Sequence, residues 1–91
     1  MASTGTATID FGSTPVADAS FVIADSGVTS ASYMEAYVQG DATVDNSASE
    51  HAFAAVSWRL FCVPGNGSFT LNVTCLVGLC TGTFDVRYVY T

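Results

Sequence analysis

The sequence predicts an all-β domain: a small antiparallel β-sandwich or jelly-roll-like barrel of six to eight short strands. Three observations carry this. The C-terminal third, Ser57 to Thr91, alternates apolar and polar residues with a period of two, and successive strand side chains point to opposite faces. Turn signals built from Gly, Pro, Asn, Asp and Ser recur about every ten residues along the chain, a spacing typical of short-stranded β domains. The composition is 49% hydrophobic and only 11% charged, against roughly 25% charged in an ordinary soluble domain, so there is ample apolar surface to bury.

With 91 residues, the chain makes a single domain, residues 1–91. A domain this small buries only roughly 60–65% of the surface its unfolded chain exposes. Its stability is therefore expected to draw on contact with copies of itself or with a larger assembly.

The elements follow in order. Residues 1–6, MASTGT, are small and polar and read as a flexible N-terminal arm. Ala7 to Gly12 is a strand with Ile9 and Phe11 on one face, broken by Ser13-Thr14-Pro15. Ala19 to Ala24 is a second strand with Phe21 and Ile23 inward, ended by the turn Asp25-Ser26-Gly27. In Tyr33 to Gly40, helix-favouring Met34, Glu35 and Ala36 compete with an alternation that fits a strand, and the alternation prevails. Asp41 to Glu50 is the one long polar segment and reads as an exposed loop. His51 to Ala55 either forms a helical turn or begins the strand carrying Trp58, on which Ala54, Val56, Trp58, Leu60 and Cys62 share a face. Val63 to Gly67 contains Asn-Gly, a strong hairpin signal. Phe69, Leu71, Val73, Cys75 and Val77 then line one face of a strand, and Phe84, Val86, Tyr88 and Tyr90 that of the last, joined through Gly78 to Gly82.

Charge excludes some partners. The net charge is −6, with Arg59 and Arg87 as the only bases. Phosphate recognition needs clustered Lys and Arg, so neither nucleic acid nor an anionic membrane is expected. The start, Met1-Ala-Ser-Thr-Gly, lacks the basic and apolar regions of a signal peptide. The uncharged stretches between Leu60 and Phe84 are interrupted by Pro64, Gly65, Asn66 and Gly67 and have period two, which reads as a hairpin rather than a membrane span.

The three cysteines, Cys62, Cys75 and Cys80, leave at least one thiol unpaired within the chain. Buried free thiols are one reading; one disulfide, within or between subunits, is the other. Folding the hairpin about Gly65–Asn66 does not place Cys62 opposite Cys75. A C-x4-C spacing without a nearby His is a poor zinc signature, and no metal or cofactor is expected.

The only cluster with chemical potential is Asp41, Asp45, Glu50 and His51. It could offer oxygens to Ca²⁺, but the spacing is not that of an EF-hand. A solvated acidic loop, with His51 hydrogen-bonding at the start of a strand, is the simpler reading. A Ser/His/acid triad lacks the G-x-S-x-G elbow, so no catalytic residues are assigned. Tyr33, Tyr37, Tyr88 and Tyr90 could offer an aromatic binding surface, but aromatics in small β domains more often form core and interface. That role is assigned to Phe11, Phe21, Trp58, Phe69, Phe84, Tyr88 and Tyr90. The sequons at Asn66 and Asn72 carry no weight without a secretory signal.

Three stretches, ATIDFGSTPVADASFVIAD, SYMEAYVQGDATVDNSASEHAFAA and SFTLNVTCLVGLCTGTFDVRYVY, resemble a family of small bacteriophage virion modules, found as capsid decoration proteins or as tail-fibre-like β modules. The family pattern is an "ATIDFG…P…EAS" strand pair, a central "EAxVxGD…H" segment and a C-terminal "GTFxVxxVx" strand. The resemblance runs from about Ala7 to Tyr90 and transfers no catalytic residue. It implies a trimeric β component, made in the host cytoplasm and displayed on the virion exterior. Its partners would be sister copies and other virion proteins such as the major capsid protein or a fibre. Cys75 and Cys80 depart from the pattern, which favours an assembly-stabilising disulfide on an extracellular particle.

The expected function is thus a non-enzymatic virion structural protein, either capsid decoration (cement) or a small fibre component. The alternative is a receptor- or carbohydrate-binding fibre tip.

Overall fold

The computed structural model describes residues 2–91. Among them the order of elements is β1 (Ser3–Asp10), β2 (Asp18–Ala24), β3 (Met34–Val38), α1 (Ala48–Ser57), β4 (Trp58–Pro64), β5 (Ser68–Cys75) and β6 (Thr83–Tyr90). The strands form two three-stranded antiparallel sheets, β1-β6-β3 and β2-β5-β4. The all-β expectation therefore holds at six strands. Among the described residues no helix is long and apolar enough to cross a membrane.

The two most strictly alternating segments are the two central strands. On β5, Phe69, Leu71, Val73 and Cys75 are buried; on β6, Phe84, Val86, Tyr88 and Tyr90 are buried. A central strand has neighbours on both sides and a second sheet over its inner face, so its inward residues are completely covered. On the edge strands β2 and β4, Phe21, Leu60 and Cys62 are only partly buried against this core, whereas Ile9 of β1 and Val38 of β3 are buried. The inner faces of the two sheets meet through aromatic rings. Phe69 of β5 lies 4.7 Å from Tyr88 of β6. Phe11 packs edge-on against Phe21 at 5.4 Å and Trp58 at 5.3 Å, and Trp58 packs against Phe84 at 4.7 Å. All seven residues assigned to core or interface are thus part of, or packed against, the core.

Small residues make room for the large rings. In sheet β1-β6-β3, Tyr88 stands between Gly5 and Ala36. A Cβ added at Gly5 would collide with the Tyr88 ring, so glycine here accommodates an aromatic neighbour rather than a turn.

Several expectations are corrected. Ser3 to Thr6 are not a free arm but the first half of β1, paired with Arg87 to Tyr90; Met1 lies outside the described residues. The hairpin expected at Val63–Gly67 joins β4 to β5, but the connection through Gly78 to Gly82 is not tight: β5 and β6 sit in different sheets, and residues 76–82 cross between them. Val77, placed inward by extending the alternation of β5, is exposed in that crossing.

The largest correction is α1. Ala54 and Val56 belong to this helix and not to a strand face shared with Trp58, and Val56 is 83% exposed. The helix starts with a capping box. The Ser47 hydroxyl accepts from Glu50 N–H at 3.2 Å, and Glu50 Oε1 accepts from Ser47 N–H at 2.7 Å. The S-x-x-E signature of such a box was present at 47–50, and Ala48, Ala52, Ala54 and Ala55 favour a helix. A chance two-residue alternation of apolar residues across 54–62 masked it.

Candidate functional site

The acidic residues and histidine of the polar segment are not brought together. Asp41, Asp45 and Glu50 are exposed, but His51 is not part of an exposed loop: it is 0% exposed. Its place on the first turns of α1 aims the ring at β6. Nε2 accepts the backbone N–H of Asp85 at 3.0 Å, and Nδ1 lies 2.9 Å from the Ser47 carbonyl. A backbone N–H can only donate, so Nε2 is the bare nitrogen and Nδ1 carries the proton toward Ser47. The ring also packs on Phe84 at 4.9 Å. His51 thus docks the helix onto the sheet, in keeping with the hydrogen-bonding role expected of it, though at a helix rather than a strand start.

The acids act locally as well. Asp45 Oδ2 accepts from both the N–H and the hydroxyl of Thr83, each at 3.0 Å. The buried Asn46 donates to the Thr81 and Thr83 carbonyls at 3.1 and 2.8 Å. This loop lies so close to Gly82 that a Cβ there would sit 2.6 Å from the Asp45 Cβ. Asp41 Oδ1 accepts from Ala42 N–H, and Glu50 serves the cap. Among the described residues no group of three or more His, Cys, Asp or Glu is arranged to hold a metal ion.

A second polar constellation joins the sheets. Asp25, at the end of β2, accepts from the Tyr88 hydroxyl through Oδ2 at 2.7 Å. Its Oδ1 accepts from the Tyr90 hydroxyl at 2.9 Å and from Gly27 N–H at 3.0 Å. The bond from Tyr88, then those from Gly27 N–H and Tyr90, hold the Asp25 carboxyl below its ordinary range. Burial, and next the bond to Asp25, push the Tyr88 phenol up to about 12; Tyr90 is raised chiefly by its bond to Asp25. The carboxylate stays charged and the phenols stay protonated at neutral pH, so the group is a latch between sheets. The sequence marked Asp25 as a turn residue, which the Gly27 bond bears out. The signal for the rest was chemical: an inward Tyr must find an acceptor for its hydroxyl.

The third constellation is apolar. Residues 76–79 pack beside the end of α1, where Leu76 N–H bonds the Ser57 carbonyl at 2.9 Å. The Cys75–Cys80 disulfide closes this segment at its base, and Cys80 also bridges to Val16. Between helix and segment runs a groove of about 310 Å³, lined by Phe53, Ala54, Trp58, Val77, Leu79 and Phe84. Phe53, Val77 and Leu79, which line it, are more than half exposed, as are Val56 on the helix and Leu76 on the segment. Sequence reasoning missed these residues because it placed Val56 and Val77 on inward strand faces.

The remaining cysteine, Cys62, is a half-buried free thiol whose pKa is raised by burial. Compared with known proteins, the chain matches no family model, no curated protein and no solved structure.

Proposed function

We propose that this protein is a non-enzymatic structural component of a bacteriophage virion. It would be displayed on the particle exterior as capsid decoration or as a small fibre component, and would stabilise the particle by assembling on it. The observation that supports this reading is the exposed apolar surface of Phe53, Val56, Leu76, Val77 and Leu79 around the α1 groove. Phe53, Val77 and Leu79 share that groove, and apolar exposure gathered at one place on so small a domain marks a surface that is covered in use. Occupancy of a site present only on the assembled particle stabilises it by mass action. The sequence resemblance supplies the virion context and the expectation of a trimer.

The test is reconstitution. Purified protein should bind undecorated capsids or fibres, assemble on them as a trimer or larger species, and raise their dissociation temperature. Phe53→Asp and Leu79→Asp should abolish that binding while leaving the chain's own melting temperature within a few degrees, because both side chains are already more than half exposed. A stable monomer that binds neither capsid nor fibre overturns the proposal.

One observation favours a second reading. Tyr33 is 83% exposed and Tyr37 is half-exposed, as a carbohydrate- or receptor-binding fibre tip would require. A glycan array or host-cell binding assay separates the two. Cell binding lost on Tyr33→Ala selects the tip, and capsid binding without cell binding removes it.

A further inference from the structure

The outer face of sheet β2-β5-β4 is a separate surface on the opposite side of that sheet from the core. Its outward residues fall into rows across the three strands: Asp18-Thr74-Arg59, Ser20-Asn72-Phe61 and Val22-Thr70-Val63. Val22 is 75% exposed, and Phe61 and Val63 are each about half exposed. The middle strand carries no charged residue. Its polar side chains are engaged sideways, with Ser20 Oγ donating to Asn72 Oδ1 at 2.7 Å and Thr74 Oγ1 to Asp18 Oδ1 at 2.8 Å. A shallow depression bounded by Asp18, Ser20, Asn72 and Thr74 lies beside the Phe61 ring.

We propose that this face is a two-fold contact between two copies of the chain, with the axis running along β5. Such an axis exchanges β2 and β4 and keeps each row opposite itself. Asp18 then faces Arg59 of the second copy, and Arg59 faces its Asp18. Val22 meets Val63, and Phe61 lies over Ser20 and Asn72, where the depression is. An axis at right angles to the strands, through the Ser20-Asn72-Phe61 row, would set the charged row against Val22, Thr70 and Val63 and lose the Asp18–Arg59 pairing. Isologous contacts require such self-complementarity.

Charge selects this face for a second copy. The chain as a whole is −6, and most of its surface repels another copy. Outward positions of the other sheet carry Asp10, Glu35 and Asp85 against Arg87 alone, and Glu50 lines the groove. Only the β2-β5-β4 face pairs one acid with one base.

The area sets the strength. Three strands about 4.8 Å apart and seven residues long, at about 3.4 Å per residue, span roughly 14 by 24 Å. That is about 340 Å² per copy, well below the roughly 800 Å² per partner of a standard-size interface. The dimer is therefore weak in solution and fills at the high local concentration of an assembled surface. The contact is independent of the α1 groove.

Sedimentation and NMR between about 10 μM and 1 mM test this. Wild-type protein should show concentration-dependent dimerisation, with shifts at Val22, Phe61, Val63 and Thr70. Each of Asp18→Arg and Arg59→Asp places two like-charge pairs in every dimer and should raise the dissociation constant at least tenfold. The double variant Asp18→Arg/Arg59→Asp restores both opposite pairs and should recover most of the affinity. Both sites are exposed, and circular dichroism checks that the fold survives. Absence of the contact at 1 mM, charge reversals without effect, or a double variant that does not recover would each overturn the proposal. So would loss of the dimer on Phe53→Asp, which would place the contact at the groove. Capsid binding that survives while the dimer fails overturns the two-fold contact alone.

Discussion

Two residues hold this molecule's sheets and helix together by hydrogen-bond geometry. Asp25 binds two tyrosines of β6 from the end of β2. Its carboxyl titrates below its ordinary 3.8, so its contribution is complete above that value and is lost as pH falls through the lower folded value. Tyr88 is raised to about 12 from an ordinary 10. Its contribution is complete below pH 10 and is lost as pH rises from 10 through about 12. Melting temperature measured against pH should therefore show an alkaline decline across that window, and Tyr88→Phe should flatten it while lowering stability at pH 7 by about 1 kcal/mol. The second residue is His51. His51→Ala would strand the Asp85 N–H and open a cavity against Phe84, which should cost about 2–4 kcal/mol in denaturant unfolding. An effect under about 0.5 kcal/mol would remove its docking role.

At the scale of elements, the segment from Cys75 to Cys80 carries the most consequence. It crosses between sheets, forms one wall of the groove and is closed by the disulfide. Closing so short a loop restricts the unfolded chain by about 2 kcal/mol, and the paired variant Cys75→Ser/Cys80→Ser should lose about that much. Because the bond is within one chain, denatured non-reduced protein should show one reactive thiol, Cys62, and should run on a gel without a reducible dimer band. Two or more reactive thiols would contradict the pairing. Helix α1 forms the facing wall, and its position depends on the Ser47 cap. Ser47→Ala should lower stability by about 1 kcal/mol, detected as a reduced melting temperature and loss of helical signal.

The whole molecule combines a core closed by its two central strands with two outer surfaces of different kinds. One is an apolar groove lined in part by Glu50; the other is a charge-balanced sheet face. They imply separable assembly contacts, so groove variants and sheet-face variants should fail independently. Phe53→Asp should abolish particle binding and leave weak dimerisation intact, whereas Arg59→Asp should do the reverse. Particle binding and sedimentation of the same two proteins check this, and loss of both properties in either variant would show a single shared contact.

Alternation along β5 and β6, turn residues at Asp25–Gly27 and Asn66–Gly67, and low charge were enough to determine an all-β domain and most of its core. That information is local, because side-chain period and backbone turn preference depend only on neighbours in the chain. What depended on distant residues was decided by the tertiary structure. The same apolar residues at 54–62 suit a strand or the end of a helix, and the fit of His51 against Asp85 and Phe84 settled the choice. Cys75 and Cys80 acquired their pairing only when residues 76–79 crossed between sheets. Val56 and Val77 became surface, and Asp25 became a latch, because the partners that would bury one and satisfy the other lie tens of residues away.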